Sequence, residues 1–245
     1  MIKRNSYSRS THELRFNKIL VIRQDRPQQV FLPCQVARSI MRQRDFVVWD
    51  TETTGLNDHA KIVSIGAVNK AGDVLLDTLV NPGVPIPEDA SEIHGITDEM
   101  VKDAPTFEEL YSIIKYRLEG KIWVIYNKDF DTARLWYECQ RYCLPEIQPA
   151  IDYVCSDWQS YGNFQTYAQF LTYCMMNKFA EHYGAWSDYH HSYTWQTLYT
   201  ACRYYGIKQN KAHHALSDAI DTLQVLKHLA LDEDRVENDE DIESW

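Results

Sequence analysis

A chain of 245 residues, 44% hydrophobic and 24% charged, has the composition of one globular domain with extensions. No apolar run reaches the ~18 residues a membrane helix needs, and no apolar segment follows the basic residues of MIKRNSYSRSTHELRF, so neither a membrane span nor a secretory signal is expected. The net charge of −10 is unevenly spread: residues 1–45 are basic, whereas residues 231–245 (LDEDRVENDEDIESW) carry eight acids and one arginine.

In chain order, residues 1–45 read as a basic N-terminal extension with two short strands, KILVIRQ and QQVFLPC, and a short helix, QVARSIMRQR. The pattern sharpens at Phe46. FVVWD, IVSIGAVN and DVLLDTLVN are apolar runs of strand length, and the Ala71–Gly72 turn between the last two makes that pair antiparallel. PGVPIPEDASEIHGITDEM is rich in Pro and Gly and reads as a loop. Thr106 opens a helix, TFEELYSIIKYRL, with Glu108 and Glu109 in its first turn. IWVIYN is a further buried strand, followed by a helix over about residues 130–142 and a fifth strand at PAIDY. The stretch 153–193 is dense in tyrosine and reads as an insertion with a helix over 165–183 and a loop, GAWSDYHHSY. Two more helices follow, one in TWQTLYTACRYYG and one over about 214–230, and 231–245 is an acidic, disordered tail. Strands early and helices later predict one α/β domain over residues 46–230. Six cysteines without a Cys-x-x-Cys pair suit the reduced thiols of a cytoplasmic protein.

The strand FVVWD runs straight into DTETTGL, so Asp50 and Glu52 lie two apart and share one face while Thr51 faces the other way. Two more acids stand at element boundaries: Asp131 in YNKDFD and Asp218 in AHHALSDA. Four carboxylates converging from separate elements repel one another unless a cation lies between them. Hard divalent ions prefer such oxygen ligands, and two ions ~3.5–4 Å apart can hold the attacking and leaving oxygens of a phosphoryl displacement. An acidic total therefore does not exclude a nucleic-acid partner, because the acids hold metal and basic segments meet the phosphates.

DTETTGL, IVSIGAV, IHGIT, YNKDFD and HHALSDA, in that order, resemble the DEDDh 3′→5′ exonucleases, typified by the proofreading subunit of bacterial DNA polymerase III and by RNase T. The resemblance covers residues 46–230. It implies a ribonuclease H-like mixed five-stranded sheet flanked by helices, two Mg²⁺ or Mn²⁺ ions, and release of nucleoside 5′-monophosphates from single-stranded 3′ ends, DNA before RNA. Asp50, Glu52, Asp131 and Asp218 match the family's metal ligands, and His213 its general base, a role suited to a side chain that titrates near neutrality. The neighbouring His214 is the competing base, since it stands four before Asp218 and would share a helix face with it. Thr53, Leu56 and His94 match positions around the terminal nucleotide. The second motif departs from the family by beginning Tyr126-Asn127 rather than His-Asn. Beside single-stranded 3′ ends, the partners open to it are a second copy in a homodimer and a polymerase or defence complex; the alternative functions are an exonuclease subunit that works only within such a complex and a catalytically silent nucleic-acid-binding module. The tyrosine-rich segment has two readings, base stacking and core, of which core is expected.

Overall fold

The apolar run ahead of Asp50 lies at the centre of a five-stranded sheet. The computed structural model describes residues 32–43, 45–156, 165–209 and 213–232. Helix α1 (Pro33–Arg42) precedes β1 (Phe46–Thr53), β2 (Ile62–Asn69) and β3 (Val74–Leu79). Two short helices, α2 (Glu88–His94) and α3 (Asp98–Val101), lead to α4 (Phe107–Leu118), β4 (Ile122–Ile125) and α5 (Lys128–Arg141). β5 (Ile151–Ser156) and β6 (Gln165–Phe170) pair with each other. β7 (Thr172–Cys174), α6 (Met175–Tyr183), a short β8 (Trp186–Ser187) and β9 (Ser192–Tyr193) pair, α7 (Leu198–Tyr204) and α8 (Ala215–Leu231) complete the order. The main sheet runs β3-β2-β1-β4-β7: β1, β2 and β3 are antiparallel neighbours, whereas β1–β4 and β4–β7 are parallel. This is the expected mixed five-stranded sheet flanked by helices.

Alternation along β1 sorts its side chains between two cores. Phe46 and Val48 join Val68 and Val124 in the core beneath α1, α6, α7 and α8. Val47 and Trp49 point the other way, with Ile65, Ala67, Trp123 and Ile125 against α4 and α5. There Trp49 and Trp123 meet edge to face, 5.3 Å apart, and the Trp123 indole donates to the Leu118 carbonyl at 2.8 Å. α4 begins as its sequence predicts. Thr106 is the N-cap, its Oγ1 accepts from the Glu109 N–H at 3.3 Å, and the Glu109 carboxylate accepts from the Thr106 N–H at 2.8 Å.

Several expectations need correction. The fifth strand of the main sheet is Thr172–Cys174, not PAIDY, whose last residues belong to the β5–β6 pair. Residues 165–174 are strands rather than the start of a helix, so α6 begins only at Met175. The Pro- and Gly-rich stretch after β3 folds into α2 and α3 because Ile86, Ala90, Ile96 and Val101 have an apolar partner in Val63. KILVIRQ and most of QQVFLPC lie outside the described residues, but Pro33 and Cys34 open α1, where proline suits the first turn. The tail beyond Asp232 also lies outside them.

The helix that carries Asp218 reaches the sheet at a glycine. Gly66 on β2 is the register partner of Asp50 on β1. A Cβ at Gly66 would lie 2.2 Å from the Leu216 backbone nitrogen and 2.4 Å from its Cα. Backbone thus lies against backbone, the close approach a strand glycine permits. Gly66→Ala is therefore expected to push the start of α8 off the sheet and to cost about 1–3 kcal/mol, the range for overpacking a filled core. Urea unfolding of the variant beside the parent measures this, and an unchanged midpoint would contradict the close contact.

Candidate active site

The carboxylates gather at the carboxyl-terminal half of β1 and just past the end of its parallel neighbour β4, the side of the sheet where α/β folds place their ligands. Asp50 and Glu52 share the α8 side of β1, as their spacing predicts. Asp218 comes from the first turn of α8. One oxygen of each of these three lies within 4.8 Å of the others. Asp131, in the first turn of α5, is not part of that triplet. It is only 2% exposed, and its Oδ1 accepts from the Thr51 backbone N–H at 3.0 Å and from Thr51 Oγ1 at 2.6 Å. Thr51 does face away from Asp50 and Glu52, and that side is where Asp131 is anchored.

The electrostatics follow from burial and like charge. Burial first, then Asp131, Glu52 and Asp218, hold the Asp50 carboxyl well above the usual carboxylate range. Burial, then Asp218 and Asp131, push Glu52 up to about 8. Asp218 is pushed up to about 7 by burial and by Asp221, while the His213 backbone N–H directed at it works the other way. Asp131 is pushed up to about 7 by burial, and the two Thr51 hydrogen bonds oppose the shift. Asp218 Oδ1 is buried without a hydrogen-bond donor among the described residues. Three hard oxygen ligands with raised proton affinity and an unsatisfied buried oxygen fit a divalent cation.

The two histidines before α8 differ. His213 is exposed and left-handed, at φ 57°. His214 is the N-cap residue of α8, and its Nδ1 is buried without a partner among the described residues. His94 is 4% exposed and closes α2 ahead of Gly95, which takes φ 73°. Its Nδ1 accepts from the Ile96 N–H at 3.0 Å, which leaves the proton on Nε2. Burial, with His213 adding to it, lowers the ring's proton affinity while the Thr53 backbone works the other way, and Nε2 is buried without a partner among the described residues. Thr53 is buried, and its hydroxyl donates to the Gly55 carbonyl at 2.7 Å. Leu56, in contrast, is 85% exposed. The loop that carries it is held by Arg134, which donates to the Asn57 carbonyl and pairs with Asp58 at 3.4 Å. Glu138 also supports this loop's end by accepting from the Ile62 N–H at 3.2 Å.

Three contributors escaped the sequence reading. Thr51 anchors Asp131. Gly66 admits α8. Asp221, buried one turn after Asp218, adds repulsion and accepts from Gln209 Nε2 at 3.1 Å. The available signals were a glycine inside an apolar strand and an i, i+3 acid pair on a helix.

Across residues 47–226 the chain matches the exonuclease family of the RNase T type. The chain belongs to the DEDDh exonucleases. The uncharacterized exonuclease CP81 of Escherichia phage 186 is 35% identical over 187 residues, 76% of this chain and 88% of that protein. The DNA polymerase III subunit epsilon of Pasteurella multocida is 34% identical over 105 residues, so the match spans 39% of this chain and 42% of that relative. Exonuclease I of E. coli, solved in complex with a dT13 oligonucleotide, shares the fold at 15% identity, with a TM-score of 0.58 over 77% of this chain and 41% of that one. Exonucleases of this family depend on divalent metal, and this chain presents the acidic cluster such an ion needs.

Carboxylates in an unfolded chain titrate near 4. The folded site holds its protons up to about 7 for Asp131 and Asp218 and about 8 for Glu52. Between those values the folded exonuclease keeps protons that the unfolded chain has released, so its stability falls as pH rises. In EDTA the melting temperature is expected to drop between pH 5.5 and pH 8.5 by at least about 3 °C, given that 1 kcal/mol moves a domain of this size by about 2–4 °C. Added Mg²⁺ should restore it most at pH 8.5, because a cation then replaces the missing protons. A flat melting temperature across that range, read by calorimetry, would show that the cluster is not strained.

Proposed function

We propose that this exonuclease removes nucleotides from the 3′ end of single-stranded nucleic acid, DNA in preference to RNA, and releases nucleoside 5′-monophosphates. The observation that carries the reading is the convergence of Asp50, Glu52 and Asp218 within 4.8 Å, with Asp131 beside them. These four residues fit two Mg²⁺ or Mn²⁺ ions. Such ions, when bound, neutralise charge on the phosphate and lower the pKa of water. The family resemblance, the relatives named exonuclease and the raised proton affinity of the acids support this assignment.

Within it the chain's residues have separate tasks. His213, exposed at the loop before α8, takes the proton of the attacking water. Its backbone N–H is directed at Asp218, which sets the base close to a ligand. His214 is confined by its place at the start of α8, which favours His213 over it as the base. Thr53 and His94 form the wall around the terminal nucleotide, and exposed Leu56 offers an apolar edge on which its base rests. Thr51 orients Asp131. Partnership with a polymerase is a further proposal, supported by the epsilon-subunit relative, of which this chain matches less than half.

The test is hydrolysis of 5′-labelled single-stranded DNA and matched RNA with Mg²⁺ or Mn²⁺. A ladder shortening from the 3′ end and abolished by EDTA is expected, and absence of cleavage in both metals would overturn the reading. Asp50→Asn and Asp218→Asn are expected to abolish turnover. His213→Ala should lower kcat by about 10²–10⁴-fold, the usual contribution of a general base, with metal binding by calorimetry retained. If His214→Ala rather than His213→Ala has this effect, the base is reassigned.

Thr51→Val keeps the strand shape and removes one hydroxyl. Loss of such a supporting contact costs about 10–100-fold in metal affinity or activity. An unchanged metal affinity in Thr51→Val would show that Asp131 needs no such anchor.

A further inference from the structure

The tyrosine-rich segment contains more aromatic rings than its core uses. Phe179 on α6 is fully buried, and the rings of His182, Tyr183, Tyr204 and Tyr205 surround it with centroids 5.5–6.4 Å away. Phe179 is the buried centre of that cluster, while Tyr183 and Tyr204 at its edge are themselves exposed. Five other rings are exposed to solvent within residues 186–199: Trp186 is 53% exposed, Tyr189 87%, Tyr193 36%, Trp195 70% and Tyr199 57%. Exposed large apolar groups are ordinary when scattered singly, whereas a group of them marks a contact surface. The expectation that this segment is core therefore fails at these positions.

We propose that Trp195 and Tyr199, with Trp186 and Tyr189 beside them in sequence, form a stacking platform for the bases of a single-stranded nucleic acid whose 3′ end occupies the carboxylate site. The inference rests on the 3′→5′ exonuclease reading above and extends it to how the rest of the strand is held.

The platform is fixed to the site by named contacts. The Tyr126 hydroxyl donates to the Gln196 carbonyl at 2.9 Å, next in sequence to Trp195. The Tyr126 carbonyl accepts from the Met176 N–H at 2.9 Å. Tyr126 immediately precedes Asn127, the N-cap of the helix that carries Asp131. On α7, buried Ala201 and Cys202 share a core with Leu223, Val225 and Leu226 of α8, while Tyr199 is exposed on the same helix. One side of α7 thus packs in the core with the helix that carries Asp218 and the other presents a ring.

The chemistry favours a nucleic acid as occupant. The Arg203 guanidinium stands 5.7 Å from the Tyr199 ring centre, one turn away on α7. A cation stacked beside a ring suits a ligand with aromatic bases on a phosphate backbone. Residues 172–209 hold three Lys/Arg and two acids, in a chain whose net charge is −10. The hairpin that carries Trp186 is also held in place. β8 and β9 pair through Trp186↔Tyr193, whose rings meet edge to face at 5.2 Å, and the Thr194 N–H donates to the Ala185 carbonyl at 2.7 Å. Every base has a π-face, so such a platform holds a strand without reading its sequence.

The test compares three full-length variants with the parent by fluorescence anisotropy of a 5′-labelled 12-nucleotide oligothymidylate, in EDTA so that nothing is cleaved. The double variant Trp195→Ala, Tyr199→Ala removes both rings and is expected to weaken binding at least about tenfold, the lower range for loss of a stacked base. The double variant Trp195→Phe, Tyr199→Phe keeps both rings and should bind like the parent. Tyr116→Ala removes an exposed ring on α4 and should also bind like the parent.

Parent-like affinity in the double alanine variant overturns the platform. So does an equal loss in the alanine and phenylalanine variants, which would point to fold damage. So does a parent that sediments as a dimer and becomes monomeric only in the alanine variant, which would make the surface a contact between copies. Hydrolysis by the parent of a nucleoside 5′-monophosphate p-nitrophenyl ester, which has no second base, reports on the carboxylate site alone. Its absence would remove the exonuclease reading, while the affinity comparison still decides the platform.

Discussion

The site depends on the contact between the backbone of α8 at Leu216 and the face of β2 at Gly66. Asp50 is the register partner of Gly66. Because nothing projects from Gly66, the first turn of α8 settles beside the strand that ends in Asp50 and Glu52. Asp218, two residues beyond Leu216, is carried into the same space. A side chain at position 66 would hold the helix away, and the three carboxylates would no longer share a cation-sized volume. Further along α8, Leu223, Leu226 and Leu229 pack into the core shared with α1, α6 and α7, which holds the helix against that contact.

This closeness is electrostatically unfavourable, and the protein does not relieve it uniformly. Asp50, Glu52 and Asp218 have their proton affinity raised by burial and like charge. Burial raises Asp131 as well, to about 7, while the Thr51 N–H and hydroxyl oppose that shift. All four carboxyls are thus strained, and Asp131 is the one held in a set orientation by hydrogen bonds to the strand. Strain of this kind persists only where the surroundings over-determine it. Here the surroundings are the paired strands β1 and β2, the first turn of α5 and the buried face of α8. The same arrangement makes the domain less stable without a cation, because repulsion within the site acts against the cores on either side of the sheet.

How much of this was legible in the sequence depends on whether the signal is local. Asp50 and Glu52 could be read because strand alternation is a period of two, and the Asp218 helix because its apolar repeat is long. Thr51 could be assigned to the opposite face, but not to Asp131, because that pairing spans 80 residues and depends on where β4 places α5. Gly66 was visible as a strand glycine, yet the backbone it admits lies 150 residues away. Residues 165–174 were misread as helix because a short aromatic segment suits either state until a strand partner is known. β7 acquires one in β4. The short helices α2 and α3 were masked by their prolines and glycine, which here cap and separate helices rather than prevent them.

The two halves of the molecule's chemistry are distributed differently along the chain. The carboxylates sit on β1, α5 and α8, elements tied to the sheet by dense packing, so their spacing is set by the fold. The exposed rings sit on the connection between α6 and α7 and on the first turn of α7, and the connection's backbone is anchored at Tyr126 and along the β8–β9 pair. Substitution there changes what the surface can hold without moving Asp50 or Gly66. A fold that fixes the reacting groups and leaves the strand-holding surface to a connection can keep one hydrolytic reaction and change which strands it accepts.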